Sequence, residues 1–326
     1  MLQNDMSSLT IPRVSVIIPV RNGYLYICET IDSVLNQNIN DLEIIIVDDG
    51  STDYDYTQLE SYDSRIQVIR LDGFGVSHAR NVGMAASRGE FIAFLDADDV
   101  WFPGKLLAQL RYFEKHPEVG VVFGGFVKWE ARDDGQHPPA SLLMTDSSHL
   151  EDIDPEHSGW LYPKLLMGLL VGINTPLIRR GIIALVGQFN EKMRIGEDYE
   201  YWLRISQLTQ MHALAGPVAL YRIHNASAMH HLDKENHLAA LLETARKRWG
   251  LSSPDGAFLP LQDFRRRLAA VEFSHGYNHY WKGDPATAVK SFAKCLCHGH
   301  RLIRSLCYMI MSWGKLIKSF PAMMTL

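Results

Sequence analysis

Cysteine is scarce in this chain of 326 residues. Cys28, Cys295, Cys297 and Cys307 are too few and too unevenly spaced for a disulfide framework, so a reducing, cytosolic setting is expected. No stretch supplies the roughly 18 uninterrupted apolar residues of a spanning helix; the most hydrophobic one, 165–186, is broken by Asn174, Arg179 and Arg180. Met1–Thr10 is polar and lacks the basic-then-apolar pattern of a signal peptide, and a soluble or peripheral protein is expected. Basic residues are in deficit, with a net charge of −5, and no basic stripe interleaves with aromatics, which argues against a nucleic-acid partner. No Ser-His or Cys-His signature of a covalent nucleophile stands out. What remains is an ordinary globular composition, long enough to bury about 75% of its unfolded surface in one large or two modest domains.

The most informative stretch is Glu90–Pro103. Phe91 to Leu95 form an unbroken apolar run, as in a strand buried on both faces, and Asp96, Asp98 and Asp99 follow within four positions. Earlier in the chain, 14–20, 42–47 and 66–71 read as strands, with helical spacing over 27–37 and a helix of small residues over 77–87. Strands alternating with helices predict right-handed βαβ units in a doubly wound sheet, with ligands bound beyond the carboxyl ends of the strands. Further on, the pattern predicts a helix over 105–115, a strand over 119–123, and a polar, Pro-rich loop or mobile flap over 130–155. Helices over 160–170 and from Gly196, a strand over 218–224, and only helices beyond about residue 230 complete the prediction.

Four groups carry candidate chemistry, each with a plainer alternative. Asp48-Asp49, before Gly50-Ser51-Thr52, suits either a turn or acceptance of hydrogen bonds from a nucleotide. Gly73–Asn81 mimics a dinucleotide fingerprint, with Asp96 about twenty residues on, but His78 occupies the place of the third glycine. Arg80 in that segment would neutralise phosphate or simply be a solvated helix charge. Asp96-Ala97-Asp98-Asp99 is either an acidic turn or an oxygen-rich site for Mg²⁺ or Mn²⁺ bridged to a diphosphate. Glu197-Asp198 fits a favourable first helical turn, or a general base kept ionised by the helix N-terminus; His224 becomes a metal ligand only if its strand ends beside Asp98.

Together these segments resemble family 2 of the nucleotide-sugar glycosyltransferases, of the GT-A fold. The matching pieces are Val14–Asn22, Ile46–Asp53, Ala79-Arg80-Asn81, Phe94–Asp99, Gly196–Tyr199 and Tyr221–His224, six in the family's order over about 13–230. The resemblance implies a GT-A domain over 13–230, with a nucleotide-binding half to 115 and an acceptor half after it, behind a flexible tail over 1–12. It implies that Pro19, Val20 and Arg21 lie against the nucleotide, that Asp48 and Asp49 hold the base, and that Arg80 holds base or diphosphate. Asp96, Ala97 and Asp98 would form the D-x-D element, with Asp98 the metal ligand and Asp96, Asp99 and His224 as further ligands to Mn²⁺ or Mg²⁺. Asp198, ahead of Glu197, would be the catalytic base of a single inverting displacement. The sugar would move from a nucleotide diphosphate-sugar, UDP-linked by expectation, to a glycan or lipid-linked hydroxyl in polysaccharide synthesis.

Two rivals stand beside this reading. A nucleotidyltransferase would need a Gly- and Lys-rich phosphate loop, for which Val20–Gly23 is poor, and a non-catalytic scaffold would act through the helical tail. In that tail (231–326) Gly276, Tyr280, Gly283, Asp284, Ala288, Phe292 and Leu296 are spaced like one tetratricopeptide-type hairpin. Cys295, Cys297, His298 and His300 are too tightly spaced for the usual zinc frame. Residues 302–320 read either as a helix packed on its own protein or as an amphipathic helix on the inner face of the cell membrane.

Overall fold

The computed structural model describes residues 11–224, 232–299 and 301–319. The elements in order are β1 (Val14–Val20), α1 (Tyr24–Leu35), β2 (Leu42–Asp49), β3 (Ile66–Leu71), α2 (Val76–Ala86), β4 (Phe91–Phe94), β5 (Val100–Trp101) and α3 (Lys105–Lys115). There follow β6 (Val119–Glu130), β7 (Ile153–Gly159), α4 (Tyr162–Met167), β8 (Leu177–Arg179), α5 (Arg180–Val186), α6 (Glu197–Ile205) and β9 (Gln210–Ile223). The last four are α7 (His237–Trp249), α8 (Leu261–Lys282), α9 (Pro285–Cys297) and α10 (Leu302–Ser319). The chain divides into an α/β unit, residues up to 161 and 169–225, and a helical unit, residues 162–168 and 226–326. Residues 1–10 of the expected tail over 1–12 and the expected boundary at 230 lie outside the described residues.

The sheet of the α/β unit runs β3-β2-β1-β4-β8-β6-β9-β5, with β7 on the far side of β9. Its first four strands are parallel, and every residue of β1 and β2 is buried, which requires cover on both faces. Beyond β4 the sheet departs from the mostly parallel expectation: β8 is antiparallel to both β4 and β6, and β5 and β7 are antiparallel to β9. β8 spans three residues, too few for a period to be read, and an antiparallel neighbour needs no helical crossover.

Two other expectations are corrected. The strand near 218 begins at Gln210; its register on β6 breaks where Gly125 meets Pro217, so Gly216-Pro217 interrupts the apolar pattern without ending the strand. Residues 130–155 are not a free flap. Trp129, Ala140, Leu143 and Met144 form a small core with Val100, Phe102 and Leu220, and Ser147 bonds Pro103 and Pro217 through its amide and hydroxyl. In the helical unit α8 and α9 form the expected hairpin, closed where Gly276 lies against the Phe292 ring, and His300 of the Cys-His cluster lies outside the described residues.

α2 approaches β1 closely because Gly83 has no side chain: a Cβ there would fall 2.4 Å from Cγ2 of Ile17. A helix-interior Gly→Ala change ordinarily stabilises by about 1 kcal/mol. Gly83→Ala is expected to do the reverse, costing about 1–3 kcal/mol through overpacking. A denaturant titration in which the variant proves more stable would refute this close contact.

Candidate active site

The parallel strands end on one line. Val20 pairs with Asp48, Asp48 with Arg70, and the Leu95 amide donates to the Ile17 carbonyl, so the acids after β4 emerge at the carboxyl edge beside the β1 and β2 loops. Those loops are laced together: the Asn22 amide donates to Ser51 Oγ (2.9 Å) and the Thr52 amide to Asn22 Oδ1 (2.8 Å). Pro19 and Val20 are buried at the end of β1, and Arg21 is exposed at the lip, its guanidinium facing Gly73.

Asp48 and Asp49 are turned into the protein. Asp48 Oδ1 accepts from the Ser51 amide at 2.8 Å, which is turn formation. Asp49 accepts from the Phe74 and Gly75 amides at 2.7 and 2.8 Å and so shapes the β3–α2 loop. Both acids are buried, and neither presents an open edge toward solvent as a base-holding role implied.

Arg80 is neither a solvated charge nor a free phosphate ligand. Only 3% exposed, it donates from Nη1 to Glu197 Oε1 and from Nη2 to Asp96 Oδ1, both at 2.9 Å, with the Phe189 ring 5.5 Å away. The clamp joins the end of β4 to the start of α6. Burial alone would lower the Arg80 pKa, but the adjoining carboxylates raise it and keep the charge in place.

Within the D-x-D-D turn the three acids have separate fates. Asp96 meets Arg80. Asp98 Oδ2 lies 2.8 Å from His224 Nε2, so the strand carrying His224 does end beside it. The expected metal role of Asp99 is not met: it is 0% exposed, and its oxygens accept from the Arg222 amide (2.9 Å) and Asn174 Nδ2 (2.8 Å). Thr30 Oγ1 donates to the Ala97 and Asp99 carbonyls at 2.9 and 2.8 Å, holding the turn from beneath. Burial pushes the carboxyl of Asp98 up, with Asp96 adding to the effect and His224 opposing it. Burial pushes Asp99 up further, followed by the charges of Asp98 and Asp96.

Asp198 stands beside the Arg80 clamp. Glu197 is committed to Arg80, whereas Asp198 accepts from the Tyr199 amide at 2.7 Å. Its pKa rises to about 6, first through burial and second through Glu197, which together outweigh Arg80. With a pKa of about 6 the acid is mostly ionised at neutral pH.

Several contributors carry no separate signal in the sequence. Arg222 lies between the Trp129 and Tyr26 rings, at 3.7 and 4.6 Å, and donates from Nε to the Asp98 carbonyl (2.7 Å) and from Nη2 to Glu29 (2.5 Å). Tyr26 also stacks on His224 at 5.3 Å. The phenol of Tyr221 is pushed up by burial and then by Asp99, Asp96, Asp98 and Asp198.

Oxygen donors with one imidazole suit Mn²⁺ or Mg²⁺. Among the described residues no three His, Cys, Asp or Glu side chains converge into a cage. The carboxyls of half-buried Asp98 and buried Asp99 are both pushed up, a shift that a divalent cation bound there would oppose.

The model of "Glycosyl transferase family 2" matches residues 15–164. An uncharacterized glycosyltransferase of Rickettsia typhi is 30% identical over 226 residues, covering 69% of this chain and 67% of its own. The chain spans only 31% and 36% of the length of two longer Rickettsia relatives. Among solved structures, S. aureus TarS 1-349 in complex with UDP-GlcNAc has a TM-score of 0.64 at 17% identity, covering 94% of this chain and 91% of that one. The mannosyltransferase PcManGT from Pyrobaculum calidifontis, in complex with GDP-Man and Mn²⁺, has a TM-score of 0.55 at 17% identity, covering 95% and 81%. The GT-A-type sheet and these matches place the chain in glycosyl transferase family 2.

Proposed function

We propose that this glycosyltransferase moves a sugar from a nucleotide diphosphate-sugar, UDP-linked, to a hydroxyl of a glycan or lipid-linked acceptor, with inversion at the anomeric carbon. The observation that carries the proposal is the separation of roles within one acidic cluster. Glu197 and Asp96 share the one charge of Arg80, Asp99 is bonded and buried, Asp98 is paired with His224, and Asp198 accepts from the Tyr199 amide. The complexes of similarly folded proteins with UDP-GlcNAc and with GDP-Man and Mn²⁺ support a nucleotide-sugar donor at such an edge.

The nucleotide would lie across the β1 end (Pro19, Val20, Arg21) and the loop that Asp49 pins through the Phe74 and Gly75 amides. Asp98 and His224 would hold Mn²⁺ or Mg²⁺, with Asp96 adjoining. When bound, such an ion supplies charge stabilisation to the departing diphosphate. Arg80 and Arg222 position the acids and do not touch substrate. Asp198 takes the proton from the acceptor hydroxyl as its oxygen attacks the anomeric carbon; the sugar–phosphate bond breaks and its electron pair leaves with the nucleoside diphosphate. A pKa of about 6 suits this task, because the base is ionised near neutrality yet more basic than an ordinary aspartate.

Three outcomes test the assignment. Asp198→Asn should lower transfer from a panel of UDP-, GDP- and TDP-sugars by about 10²–10⁴-fold while nucleotide binding survives. Transfer at the normal rate in that variant would show that the base lies elsewhere. In the unsubstituted enzyme the rate should fall as pH drops through about 6, since Asp198 then carries the proton it must accept; a flat profile across that range contradicts the role. Calorimetry of UDP should show binding strengthened by Mn²⁺, and Asp98→Ala should abolish the strengthening and leave the metal-free component. An unchanged metal dependence would remove Asp98 from the ligand set.

A further inference from the structure

In the helical unit, α10 has two apolar faces. One packs inward: Tyr308 meets Phe273, Tyr280 and Phe292, Ser305 and Ser312 are fully buried, and Lys315 Nζ donates to the Tyr280 carbonyl at 2.8 Å. The other faces outward and is unpartnered among the described residues. Ile303, Leu306, Ile310, Trp313 and Ile317 recur at alternating spacings of three and four, and each is between 47% and 81% exposed. Such spacing makes one continuous stripe along a helix, here on the side opposite Ser305 and Ser312. A monomer in water rarely leaves a row of large apolar side chains uncovered.

The charge of this part of the chain indicates what covers it. From Pro285 to Leu326 there is no Asp or Glu, whereas Lys290, Lys294, Arg301, Arg304, Lys315 and Lys318 give six cations, of which Lys315 is turned inward on Tyr280 and Lys294 lies 3.6 Å from Glu272. The remaining residues hold 26 Lys and Arg against 37 Asp and Glu, so the positive charge is segregated around α10. A second copy docking through the stripe would bring two such cationic segments together with no acid on either to pair them. An anionic lipid surface supplies both missing elements: acyl chains for the isoleucines and negative headgroups for the cations. Trp313 within the stripe suits the headgroup boundary, where amphipathic rings concentrate. No helix among the described residues is long and apolar enough to cross a bilayer, so the contact would lie in the plane of the surface.

We infer that the outward face of α10 is a docking surface for an anionic lipid bilayer. The inference stands apart from the transfer reaction and survives if the donor or the base has been misassigned. Its test is co-sedimentation of the full chain with vesicles of equimolar phosphatidylglycerol and phosphatidylcholine, and with phosphatidylcholine alone. Binding is expected on the anionic vesicles and should weaken as salt is raised. The triple substitution Ile303→Ser, Ile310→Ser and Ile317→Ser touches only exposed positions and should leave the thermal midpoint unchanged. It should weaken vesicle binding by about tenfold or more. Absence of binding to anionic vesicles, or binding undiminished by the triple substitution, overturns the inference. So does a stable dimer that the substitution dissolves while vesicles remain unbound.

Discussion

The site depends on a guanidinium that hardly meets water. Arg80 reaches from α2 to Asp96 after β4 and to Glu197 at the start of α6, and it is only 3% exposed. Burying an ion costs several kcal/mol, offset only where its partners are well placed, and breaking a buried pair costs about 3–5 kcal/mol. Two segments about one hundred residues apart are thereby fixed to one cation. Asp198 follows Glu197 directly, so the clamp sets where the candidate base stands as well as which acids surround it. The electrostatics follow from the same geometry. Arg80 lowers the Asp198 pKa, but burial and the adjacent Glu197 raise it more, and the balance falls near 6.

Much of this was legible in the sequence, for identifiable reasons. β4 is a continuous apolar run, and β1 and β2 are apolar apart from Ser15, Glu43 and the terminal Asp48 and Asp49, as suits strands buried on both faces. The limits of α3 were legible at both ends because its periodicity is clean. What escaped were choices of direction. Asp48, Asp49 and Asp99 have short side chains at strand ends, where a carboxylate can cap its own loop or face a ligand with no difference in local pattern. For Arg80 a phosphate ligand and a solvated helix charge were both open, and Arg222 was only part of the Tyr221–His224 match, because the partners of both lie far away in the chain. The first half of β9 was hidden by Gly216-Pro217, a true interruption that a bulge absorbs. For α10 the alternatives of a packed helix and a surface-seeking one were not exclusive. A helix apolar on two faces satisfies the pattern for both.

The acidic turn shows how the fold resolves a conflict that its own sequence creates. Two carboxylates about 4 Å apart repel by roughly 4 kcal/mol at an effective dielectric near 20, and this turn holds three in four positions. Opposite sides of the fold supply the compensation. Arg80 of α2 takes Asp96, while Arg222 of β9 takes the Asp98 carbonyl and, through its amide, a carboxylate oxygen of Asp99. Asn174 fills the second oxygen of Asp99 and Thr30 ties down the turn carbonyls. After these contacts Asp98 is the acid whose charge is least answered within the protein, with His224 as its close partner. A carboxylate in that condition is either destabilised or completed by something that binds. The same two arginines that make the cluster tolerable leave Asp98 with His224 as its side-chain partner at the edge of the turn.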